Sequence, residues 1–174
     1  RSPRFSEDLD FSTNQENIPG IEQILLEVLG KMEKENIQTN LQEADKTSGG
    51  YLSVIDFTIY DKTFPIKIEI SFREKANRGE LVTIPSDFIA PYTLVILEQD
   101  QLISQKMRAL SERKKARDFY DLYFILRKGL PIPNKSIVLS NTLADLRSLK
   151  INFEVELKPS LPRSHWAIIL DFKN

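Results

Sequence analysis

Arg4-Phe5-Ser6-Glu7-Asp8-Leu9-Asp10-Phe11 is the stretch from which the fold of this chain is read. As a β-strand it alternates. Phe5, Leu9 and Phe11, with Glu7 among them, point one way, and Ser6, Asp8 and Asp10 point the other. One face is therefore largely apolar. The other carries two carboxylates at i and i+2, roughly 6–7 Å apart at the backbone. Two such charges repel by about 2–3 kcal/mol at an effective dielectric of about 20, and by under about 1 kcal/mol when fully hydrated. A divalent cation turns that repulsion into attraction, so Asp8-x-Asp10 reads as a magnesium clamp. The alternative is a solvated strand edge.

A second strand repeats the design. Over residues 64–72, Ile66, Ile68, Ile70 and Phe72 share one face, while Lys67, Glu69 and Ser71 share the other. A one-residue slip in register would expose all four large apolar groups, so the pattern predicts that they face the core. Asp8, Asp10 and Glu69 become candidates for one carboxylate triad. Asp56 competes for the third place, because it alternates with Ile55, Phe57 and Ile59 in a strand expected over 51–60. Lys67 reads either as a partner for a neighbouring carboxylate or as a phosphate-binding cation.

Composition narrows the chemistry. The 174 residues are 41% hydrophobic and 28% charged, as expected of one soluble globular domain or a core with a small appendage. A net charge of -1 excludes a polybasic nucleic-acid binder, so any basic site must be local. There is no cysteine, which excludes disulfides, thiolate zinc sites and cysteine nucleophiles. His165 is the only histidine. It reads as a surface or packing residue, and a histidine metal site or serine triad near the motif is not expected. No apolar run approaches the ~20 residues needed to span a bilayer. With no signal peptide visible, the expected location is the cytoplasm. The chain starts at Arg1 without a methionine, so an upstream segment is expected.

The remaining elements follow from periodicity. Ile21, Ile24, Leu25, Val28 and Leu29 predict a helix over 21–35. Residues 36–43 read as a weak strand and 44–50 as a polar loop ending in Gly49-Gly50. Short strands are expected at 80–84 and 92–97, and helices at 99–111 and 112–127. Lys106 lies at the margin of the apolar face of the first of these helices, placed either to snorkel or to reach an anion. Asp121 interrupts an otherwise apolar stretch of the second and needs a partner. Arg117, four residues back, and Lys114, seven back, are the helical candidates. Asp118 and Asp121 read either as structural ion-pair members or as carboxylates that aim Arg117 and Lys106 at a phosphate. Lys128-Gly129 ends the helix. One or two short helices are expected within 136–150, and 151–174 is ambiguous. The organisation is α+β, with a two-sided sheet core over 1–98. A mainly helical part over 99–174 follows.

In three stretches the sequence resembles the AbiEii-type nucleotidyltransferase family of bacterial toxin–antitoxin and abortive-infection systems. They are the opening strand, Ile66-Lys67-Ile68-Glu69-Ile70-Ser71, and the run from Leu102 to Tyr123 with Lys106, Arg113 and Lys115-Ala116-Arg117-Asp118-Phe119-Tyr120-Asp121-Leu122. The match spans roughly residues 1–130. It implies a DNA polymerase beta-like core, a small mixed sheet with helices packed on one face and the acids on the other, and two-metal phosphoryl transfer from a nucleoside triphosphate, with two magnesium ions. On that resemblance Asp8, Asp10 and Glu69 hold the metals, and Glu69 helps polarise the acceptor hydroxyl. Ser6, Lys67, Lys106, Arg117 and Asp118 serve the nucleotide. Asp121 belongs to the catalytic set, positioning the cations or acting directly. An RNA or tRNA 3′ end as acceptor and an antitoxin protein as partner are family-level expectations. Members of the superfamily also carry a Gly-Gly or Gly-Ser turn shortly before the Asp-x-Asp strand. The sequence begins too late to contain it, and Gly49-Gly50 is misplaced to replace it.

Two other functions fit parts of the pattern. Metal-dependent nucleases also combine acids with a lysine on adjacent strands, but their usual order is acid-x-Lys, whereas this chain has Lys67-Ile68-Glu69. A nucleotidyltransferase-like domain used only for binding would retain the fold without the chemistry.

Overall fold

The computed structural model describes residues 4–6, 8–73, 79–87, 89–170 and 172. The chain forms two compact units. One is Ser6–Asn77; the other combines Arg1–Phe5 with Arg78–Asn174. The expected loop over 73–78 falls largely outside the described residues, as does Glu7.

The first unit is a four-stranded sheet with one helix. Its elements are β1 (Asp8–Ser12), α1 (Ile18–Lys34), β2 (Gln38–Thr47), β3 (Gly50–Ile59) and β4 (Lys62–Ser71). The strand order is β1-β4-β3-β2. β1 runs parallel to β4, and the other pairs are antiparallel. The sheet is therefore mixed, as the resemblance implies. α1 starts earlier than its apolar spacing suggests. The Asn17 side chain accepts a hydrogen bond from the Gly20 backbone N–H at 3.1 Å, and Pro19 occupies the first turn where its missing N–H costs nothing. Leu25 of α1 packs on Tyr51 and Ile55 of β3, with Ile68 and Ile70 of β4 partly buried against them. The faces of β4 are thus as expected: Ile68 and Ile70 lie on the helix side and Glu69 on the other.

Two expectations for this unit are corrected. β2 continues to Thr47 through the stretch read as a loop, because an edge strand exposed to water does not need apolar alternation. It also bulges between Leu41 and Glu43. Ser48-Gly49 make the tight turn between β2 and β3, and Gly50 begins β3 so close to the Ile70 carbonyl of β4 that a Cβ there would sit 2.0 Å from its oxygen. Second, the apolar side of β1 is not buried: Leu9 is 48% and Phe11 51% exposed. The buried cluster under α1 is built on β3 and β4, and these two side chains of the edge strand do not join it.

The second unit opens with an antiparallel pair, β5 (Gly79–Ile84) and β6 (Tyr92–Leu97), which forms its own two-stranded sheet. Then come α2 (Gln99–Arg113), α3 (Ala116–Arg127), α4 (Lys135–Ser148), α5 (Phe153–Leu157) and α6 (Trp166–Leu170). The division between units thus falls before β5, which groups with the helices. The expected boundary between the first two helices moves from 111/112 to a two-residue break. Lys114 adopts the left-handed conformation, φ 51 and ψ 37, and Lys115 precedes α3. α3 ends as its glycine indicates. Gly129 has φ +64, and the Leu130 N–H donates to the Ile125 carbonyl at 3.1 Å. One of the one or two helices expected within 136–150 is formed, as α4, and the ambiguous tail is helical in short pieces. Ile103, Met107 and Leu110 of α2, Phe119, Tyr120 and Leu122 of α3, and Phe153 and Leu157 of α5 form its interior.

Candidate active site

Strand register assembles the acids. Asp8 pairs with Lys67 and Asp10 with Glu69 across the parallel β1–β4 ladder. Register partners project to the same face, with strands about 4.8 Å apart. Asp8, Asp10, Lys67 and Glu69 therefore share the sheet face opposite α1. Asp56 lies on that face too, but its partner is Pro65, four residues along β4 from Glu69, or about 13 Å. Its Oδ2 accepts a 2.7 Å hydrogen bond from Gln42 Nε2. Geometry therefore groups Glu69, and not Asp56, with the Asp-x-Asp strand.

Side-chain contacts qualify that grouping. Glu69 is ion-paired with Lys67. This hydrogen bond, together with the charges of Glu69, Asp8 and Asp10, raises the Lys67 pKa against an opposing contribution from partial burial. Lys67 thus acts as the internal counter-ion of the acidic face. Among the described residues no group of three or more acidic or histidine side chains converges closely enough to hold a metal ion. The expected convergence is present in strand register and not in side-chain position, since like charges separate and Glu69 has a lysine beside it. The donor set itself, three hard carboxylates on adjacent strands, suits magnesium. Ser6 turns its hydroxyl to the Asp8 backbone carbonyl at 2.9 Å.

The second group of candidates belongs to the helical unit. α2 and α3 form an antiparallel hairpin, and Lys106 Nζ meets Asp121 Oδ2 across it at 2.8 Å. Arg4 Nε lies 4.0 Å from the other oxygen of Asp121. Asp121 is only 5% exposed, so burying its charge requires such partners. The helical candidates do not supply them: Lys114 pairs with Asp145 at 2.7 Å, and Arg117 forms no ion pair with Asp121. Among the described residues the Arg117 guanidinium has no protein partner, and its Nε is buried without a hydrogen bond. Arg117 stands one turn before Asp121 on α3.

Asp118 is structural in its contacts. Its two oxygens accept from Arg113 Nη2 at 2.8 Å and from the Lys115 backbone N–H at 3.1 Å. It thereby closes the start of α3 and locks the α2–α3 turn. The sequence reading missed both Arg113 and Arg4 as partners. A spacing of five does not read as a helical pair until the Lys114 break is known, and no local pattern links Arg4 to Asp121. His165 packs as expected and exchanges a 2.8 Å hydrogen bond with the Tyr120 hydroxyl.

Comparison with known structures identifies the class. The chain is similar to a protein from H. pylori described as a candidate nucleotidyltransferase. The two share 20% sequence identity with a TM-score of 0.51, and the match covers 97% of this chain and 76% of that one. It is similar to JHP933 from Helicobacter pylori at 20% identity and a TM-score of 0.50, over 97% and 74% of the two chains. At this identity the likeness shows the fold, which is that of the nucleotidyltransferases. Residues 1–171 match the model of the nucleotidyl transferase AbiEii toxin family of type IV toxin–antitoxin systems, and the chain belongs to that family. The match reaches well beyond the roughly 1–130 span of recognisable motifs. Comparison with curated proteins gives no match. No helix among the described residues is long and apolar enough to cross a membrane.

Proposed function

We propose that this chain transfers a nucleoside monophosphate from a nucleoside triphosphate to an acceptor hydroxyl, with the α–β phosphoanhydride bond broken and pyrophosphate released, as the toxin of a toxin–antitoxin pair in the cytoplasm. The observation that carries the reading is the β1–β4 register, which sets Asp10 beside Glu69 and Asp8 beside Lys67 on one open sheet face. In this reading Asp8, Asp10 and Glu69 are the residues that hold magnesium. When bound, the ions supply charge stabilisation at the transferring phosphoryl group. Lys67 is the charge that balances these carboxylates otherwise. Glu69, once released from Lys67, accepts the proton of the attacking hydroxyl. Lys106 and Arg117 neutralise phosphate oxygens. Asp121 holds Lys106 by their 2.8 Å ion pair, and Asp118 fixes the turn that presents both helices. The acceptor we propose is an RNA 3′ end, including that of a tRNA, and the protein partner an antitoxin.

One observation favours a second reading: a lysine among three acids is also the equipment of a metal-dependent nuclease. Incubating the protein with labelled nucleoside triphosphates, magnesium and total RNA separates the two. Transfer of label to RNA supports the proposal. Shortened RNA without label supports the nuclease, and neither outcome leaves a binding domain.

A further inference from the structure

A cleft of about 220 Å3 lies within the helical unit, bounded by α2, α3, β5 and β6. Leu102 and Ile103 of α2 and Phe124 and Ile125 of α3 form its apolar part, and Lys106 and Asp121 stand at one end. The two helices present matched stripes. On α2 the order is Gln99, Leu102 with Ile103, then Lys106. On α3 it is Asp121, Phe124 with Ile125, then Lys128. Each stripe has the i, i+3/i+4, i+7 spacing of one helix face. Because the helices are antiparallel, the ionic pair closes one end of the apolar stretch, and Gln99 and Lys128 flank the other. The stripes are about 10 Å long.

We infer that this cleft receives the base of the nucleoside triphosphate, with Phe124 as the stacking surface and the phosphates directed toward Lys106 and Arg117. The inference rests on the nucleotidyltransferase reading and adds the subsite. The cleft is below the roughly 300–1,000 Å3 of a pocket that holds an entire ligand, so it suits one flat ring system. Its chemistry changes along its length as a nucleotide does. Arg117 lies one turn before Asp121 on α3, the walls are mostly apolar with Glu80 of β5 among them, and the far end offers an amide and an ammonium to the polar edge of a base. Ile103 and Ile125 are buried and give the cleft a fixed lining. Phe124 is held from behind by Tyr120, centroids 5.4 Å apart, and by His165 at 5.8 Å, so its ring is pre-set for stacking.

Calorimetric titration of the protein with each of the four nucleoside triphosphates and with ribose 5′-triphosphate, which lacks a base, tests the assignment. At least one nucleoside triphosphate should bind about tenfold more tightly than ribose 5′-triphosphate, the increment of one stacked base. Leu102→Trp, which fills the cleft, should abolish that advantage and leave ribose 5′-triphosphate affinity unchanged. Phe124→Leu should reduce it by a smaller factor and serves if the tryptophan variant does not fold. Equal affinities for all five ligands on the wild-type protein overturn the base subsite alone, as does an advantage that survives both substitutions. Failure of every triphosphate to bind overturns the nucleotidyltransferase reading and the subsite with it.

Discussion

The two units bury their residues differently. In the helical unit Tyr120 is fully buried, Leu157 is 1% exposed and Phe119 2%, within a cluster drawn from α2, α3, α5 and α6. In the sheet unit the buried cluster is Leu25, Tyr51 and Ile55, while Ile68 and Ile70 are half-covered and Leu9 and Phe11 stand open. The difference extends to the charges. Asp118 and Asp121 are buried, so their partners are obligatory and the same contacts that hold the hairpin orient Lys106. The acids of β1 and β4 stay wet, where like charges on one face cost little. The carboxylates of the helical unit are therefore structural by their burial, whereas those of the sheet, with Glu69 ion-paired to Lys67, are held at the surface.

Core truncation gives the largest effect separating the units. Phe119→Ala should destabilise by about 3–5 kcal/mol, as buried aromatic truncations do. Ile68→Ala, at a half-covered position, should cost about 1–2 kcal/mol, below the full-burial range. Guanidinium titration of the two variants checks this, and equal losses would erase the contrast. A smaller effect separates the carboxylates. Asp118→Ala removes two hydrogen bonds at the start of α3 and should cost about 1–3 kcal/mol. Glu69→Gln on the open face should stay within about 0.5 kcal/mol. Thermal unfolding of both variants at pH 7 makes the comparison, and a larger loss for Glu69→Gln would mean that the Lys67–Glu69 pair holds the sheet together.

The same contrast governs what the sequence reveals. Period-two alternation in residues 64–72 made the two faces of β4 legible, and with them the face that Glu69 occupies, but the choice between Glu69 and Asp56 needed the β1–β4 pairing. Alternation says which face is apolar and not what covers it, so the exposure of Leu9 and Phe11 was invisible. β2 was half-hidden because an exposed edge strand carries polar residues on both faces. In α3, the burial of Asp121 was legible from its apolar surroundings, but its partners lie on another helix and at the chain's beginning. Helical spacing pointed to Arg117 instead. The turn at Lys114 was obscured because a lysine, and not a glycine, takes the left-handed position. The cleft beside Lys106 required two stripes on separate helices to be brought face to face.

Asp10→Ala tests the central claim most directly, read as the rate of magnesium-dependent nucleotide transfer to RNA alongside the melting temperature. Asp10 lies on the open face opposite α1, so the fold should be unchanged, while loss of a metal ligand should cut transfer on the order of a thousandfold. Transfer retained within about tenfold of wild type, in a variant that melts normally, would contradict the assignment of the β1–β4 face as the catalytic centre.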